Sequence, residues 1–77
     1  MPYITSIERL GREEGLQEGL RAGLLDGIEP MLRLKFGTAS GEAMLEIRQL
    51  TDLGIIRAVL EQIESSHTIE AVREVYR

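Results

Sequence analysis

The sequence predicts an all-α protein: a long, glycine-punctuated N-terminal helix, then a compact bundle of short helices, held together in an oligomer. Three observations carry that expectation. Apolar residues recur at helical spacing along most of the chain, and nowhere alternate with period two over a strand's length. Capping residues and glycine stops cut the chain into helix-sized segments. Finally, 77 residues bury too little surface to be comfortable alone, and the usual staples are missing: there is no cysteine, and His67 is the only histidine. A partner chain is the stabiliser that remains.

The elements follow in order. Thr5 and Glu8 match a capping box, so a helix is expected from Ser6. A four-residue repeat then places Gly11, Gly15, Gly19, Gly23 and Gly27 in one row, with Leu16, Leu20, Leu24 and Ile28 in the row beside it. Pro30 removes a backbone donor and crowds the Asp26 carbonyl, which predicts a kink or short break over 27–30. Helix resumes through Phe36, where Lys35 in the last turn and Gly37 after it form a stop. Residues 1–36 are thus read as an association helix and residues 37–77 as a small helical module.

Three short helices are expected in that module. Ser40 caps one that runs to Leu50, with Ala43, Met44, Ile47 and Leu50 on its buried face. Thr51 or Asp52 caps the next, whose inner stripe is Leu53, Ile56, Val59, Leu60 and Ile63. Thr68 caps the last, with Ile69, Val72, Val75 and Tyr76 inward.

Composition excludes several functions. The net charge is −4, from nine basic and thirteen acidic residues, and a polyanion binder needs a basic face; no direct nucleic-acid partner is expected. No apolar run approaches the roughly 20 residues that span a bilayer, and no signal-peptide pattern opens the chain, so the expected location is cytoplasmic. His67 sits in a Ser-Ser-His-Thr turn, where a polar residue at a helix start is commoner than a catalytic base. The glycines lack the strand-turn-helix setting and Lys-Ser/Thr ending of a phosphate loop. Glu13-Glu14 and Glu61/Glu64 read as solvated faces, with Glu18–Arg21 and Glu70–Arg73 as i, i+3 ion pairs. No catalytic, cofactor or metal residue is assigned.

The glycine repeat is the informative feature. Each interior glycine costs a helix about 1 kcal/mol relative to alanine. Five of them cost roughly 5 kcal/mol, comparable to the stability of a small domain. The segment is then either a flexible linker or a helix against which a second helix packs closely. Leucine beside nearly every glycine, with little serine or proline, favours packing. The glycine row makes a groove and the leucine row a ridge. Because a four-residue period winds by about 40° per repeat, a steep crossing is expected.

The opening Met1-Pro-Tyr-Ile-Thr-Ser-Ile-Glu-Arg-Leu-Gly, the Gly-x-x-Glu-Gly-Leu-x-Glu-Gly repeat, Leu32-Arg-Leu-Lys-Phe-Gly and Ile47-Arg-Gln-Leu-Thr-Asp-Leu together resemble the C-terminal, non-catalytic region of the Rpn family of recombination-promoting nucleases. That family's catalytic domain is of the PD-(D/E)XK type. Its metal-binding constellation does not carry over: neither Pro2 nor Pro30 precedes an aspartate, and Arg33 stands two before Lys35. The resemblance therefore implies a non-enzymatic association region. Met1 falls where the longer proteins could be restarted internally, which implies a short product that binds the cognate long nuclease and holds it inactive, as an antitoxin does. An excised fragment serving only as the nuclease's oligomerisation region is the alternative. In either case the expected partners are a second copy, most simply in a dimer, and the long nuclease.

Overall fold

The computed structural model describes residues 6–77, and side chains from Arg12 onward. The described residues form four α-helices and no strand: α1 (Ser6–Phe36), α2 (Ser40–Ile47), α3 (Leu53–Ser65) and α4 (Ile69–Glu74), with a 3-10 turn over Gly37–Ala39. The all-α expectation holds. The Thr5–Glu8 capping pair and Gly11's surroundings lie outside the described residues.

α1 has 31 residues, so at 1.5 Å per residue it is about 46 Å long and sets the long axis of a 53 × 20 × 19 Å molecule. Of the kink or short break expected at 27–30, the break does not occur: the helix runs through Pro30 to Phe36. Pro30 and Asp26 are both exposed, so the carbonyl deprived of its donor is open to water and the ring projects away from the bundle. The stop at Gly37 is as expected: its φ of +62° is left-handed, which a side chain would resist.

Among the described residues, the hydrophobic core that the short helices form with α1 draws on its second half. Leu25, Ile28 and Leu32 of α1 share one core with Ala43, Met44 and Ile47 of α2, Ile56, Val59 and Ile63 of α3, and Val72 of α4. The core therefore straddles the boundary expected at residue 37, and the compact unit includes the last three turns of the long helix. Capping fixes where α3 and α4 begin. The Asp52 carboxylate accepts from the amides of Gly54 (2.8 Å) and Ile55 (3.2 Å), and the Thr68 hydroxyl from that of Ala71 (3.3 Å). Ser40 does not cap α2. It lies inside the helix and its hydroxyl donates to the Gly37 carbonyl at 2.7 Å, while α2 ends at Ile47 rather than Leu50.

Besides the burial of Val72, one carboxylate ties α4 to α2. Glu46 on α2 receives Nε and one terminal nitrogen of Arg73, each at 2.9 Å, the Tyr76 hydroxyl at 2.7 Å and an Arg77 nitrogen at 3.3 Å. Arg73 thus pairs across helices with Glu46, and the i, i+3 pair with Glu70 expected from the sequence does not form. A bidentate bond to a partner on another helix is stronger than a screened pair on one exposed face. The Arg73 bonds, then the Tyr76 bond, hold the Glu46 carboxyl down at about 2, against an ordinary 4.5. Burial, then the bond to Glu46, pushes the Tyr76 hydroxyl up to about 12.

Candidate association surface

The first half of α1 projects beyond the bundle. Every described residue from Arg12 to Leu20 is exposed. The leucine row is exposed in graded fashion: Leu16 is 64 % exposed, Leu20 51 %, Leu24 partly buried and Ile28 fully buried. The winding of the helix accounts for this. Each four-residue step turns the row by about 40°, so from Leu16 to Ile28 it swings by about 120°, from the solvent side into the core. Ile28, expected at an association interface, is instead a central residue of the chain's own core, and Leu24 is partly committed to it.

The glycine row stays outside. A Cβ placed on Gly15, Gly19, Gly23 or Gly27 would meet nothing within 4 Å. No described element of the same chain fills the groove above these four glycines, so among the described residues no packing offsets their helix-propensity cost.

What remains exposed and apolar on α1 is a different line from either row; Leu45 of α2 and Ile55 of α3 are exposed elsewhere. Leu16, Leu20, Gly23, Gly27, Pro30 and Leu34 are all exposed, with Leu34 at 88 %. Their spacings of 4, 3, 4, 3 and 4 residues average about 3.6, the helix's own period, so the line runs straight along α1. It carries no charge, and Arg12, Asp26 and Arg33 flank one edge of it.

The opposite face of the projecting half is polar and turned towards the α2–α3 connection. Glu14, Gln17, Glu18 and Arg21 there line a shallow depression of about 240 Å³ with Thr51 and Leu53. Arg21 closes its inner end: Nε donates to the Leu50 carbonyl at 2.7 Å, one terminal nitrogen to the Arg48 carbonyl at 2.5 Å, and the other to Glu18 at 3.0 Å. Lys35, two helical stretches further on, donates to the carbonyls of Ile63 and Glu64, the latter at 3.1 Å. Cations of α1 therefore serve carbonyls just beyond α2 and at the end of α3, where a helix leaves acceptors without partners. Glu29 bridges Arg33 at 3.3 Å and Arg48 of the connection.

The sequence reading found the Glu18–Arg21 pair but missed the larger role of Arg21. A signal was present, since Arg21 lies seven residues, about two turns, before Ile28 and so on the buried face. The Glu46 cluster had no comparable signal. His67 is exposed in the turn between α3 and α4, as expected of a turn residue.

Comparison with protein-family models, with curated proteins and with solved structures gives no match. No described helix is long and apolar enough to cross a membrane.

Proposed function

We propose that this chain is a non-catalytic association module, and that the straight apolar face of α1 receives the same face of a second copy. The observation that supports this best is the pair Leu16 and Leu20, more than half exposed beside glycines with open space above them. A helix laid on that face covers the leucines and approaches the backbone closely at Gly23 and Gly27. Because the exposed line is straight, a shallow crossing near 20° suits it better than the steep one the winding glycine row suggests.

The magnitude is modest. Fully burying a leucine contributes about 1.5–3 kcal/mol, and Leu16, Leu20 and Leu34 together expose about two leucines' worth per copy, giving on the order of 6–12 kcal/mol gross for a pair. Association costs about 4–15 kcal/mol. The expected dimer is therefore weak and reversible, with a Kd ranging upward from about 1 μM at the tightest. Light scattering on the intact chain across that range is the test: mass rising with concentration supports the proposal, and a monomer throughout removes it.

The likeness to the Rpn region adds a second occupant for the same face, the equivalent helix of a long nuclease. The short chain would then act by competing for the helix the nuclease uses to assemble. Co-purification with such a nuclease, followed by assay of its activity in the mixture, tests this reading. A nuclease equally active with and without the chain contradicts it.

A further inference from the structure

We propose that Arg21 is a coupling clamp, through which the folded state of the C-terminal module holds the projecting half of α1 in helical form. Leu25 is the first described residue of α1 to be buried, and everything from Arg12 to Leu20 is exposed. Arg21 lies one turn before Leu25 and is the only partly buried residue of the described stretch before Leu24. Its guanidinium spends two donors on the carbonyls of Leu50 (2.7 Å) and Arg48 (2.5 Å), which follow the end of α2, and a third on Glu18 one turn further out. One side chain thus ties the turn after α2 to the root of the projecting helix and to the next turn beyond it.

The projecting stretch needs such a tie. It contains Gly15 and Gly19, and a Cβ placed on either would meet no described atom within 4 Å. Helix extends by propagation from an existing end, and each glycine makes that propagation less favourable. Without the clamp the last fixed point is Leu25, and fraying starts one turn closer to the bundle. With it, the planar fork of arginine meets two carbonyls and the Glu18 carboxylate from three separate nitrogens, a spread that the single nitrogen of a lysine does not reproduce. Arg21 acts here as a positioning residue for the association face, and the coupling holds whether or not that face is used.

Amide hydrogen exchange on the intact chain, at a concentration where it is monomeric, tests the proposal with Arg21→Met and Arg21→Lys. Methionine keeps an apolar stem and removes the donors. In Arg21→Met, exchange over residues 12–20 rises by about tenfold while the amides of Ile56, Val59 and Ile63 stay within about twofold, and Arg21→Lys falls between this variant and the parent. Three results overturn it: no change over 12–20, an equal rise in both segments (a general loss of stability), or an unprotected 12–20 in the parent chain. Because no dimer is present, failure of the association reading leaves this result untouched.

Discussion

Leu16 and Ile28 belong to one four-residue row, yet Leu16 stands 64 % exposed on the outside of α1 while Ile28 is fully buried in the core. The same chemistry therefore has two roles along one helix, separated by three steps of winding. Truncating the two residues should separate the roles. Ile28→Ala should destabilise the fold by about 2–5 kcal/mol, as a cavity in a packed core does. Leu16→Ala should change stability by about 0.5 kcal/mol or less, and weaken self-association instead. Urea unfolding measures the first, and sedimentation of the same samples the second.

The Glu46 cluster makes the attachment of α4 dependent on pH at both extremes. The folded carboxyl titrates near 2, below its ordinary 4.5, so its contribution is present above pH 4.5 and is lost as pH falls towards 2. Tyr76 is shifted the other way, from 10 to about 12, so its contribution is complete below pH 10 and is lost as pH rises towards 12. Glu46→Gln should lower stability at neutral pH and flatten the acid limb. Denaturant midpoints compared from pH 2 to 8 check this, and parallel acid limbs in parent and variant would count against it.

Asp52 holds two amides of α3 that nothing else among the described bonds satisfies. Asp52→Ala should cost about 1 kcal/mol, and Asp52→Asn much less, since asparagine caps nearly as well. For a chain of this size that is roughly 4–8 °C in Tm, readable by calorimetry.

How much of this was legible in the sequence depends on range. Local rules found the Gly37 stop, the Thr68 cap and the inner faces of α2, α3 and α4, and narrowed the α3 cap to Thr51 or Asp52, because each rests on residues within a turn or two of one another. Pro30 does not break α1, since its cost depends on which way the ring faces, and an outward ring leaves only one carbonyl without its donor. The core membership of Ile28 followed from the same winding that was read as a groove. What the sequence left undecided was the side of the helix on which the bundle would sit. Arg21 and Glu46 were missed because their partners lie 27 to 31 residues away, at carbonyls and side chains that only tertiary packing brings near.

The most direct measurement is sedimentation equilibrium of the Gly23→Leu, Gly27→Leu double variant beside the parent. Both glycines have open space above them within the chain, so the fold should tolerate the change and the helix should gain propensity. If a second helix approaches the backbone there, the variant stays monomeric at concentrations where the parent assembles, with thermal stability at least equal to the parent's. Assembly as strong as the parent's, in a chain equally well folded, would contradict the account.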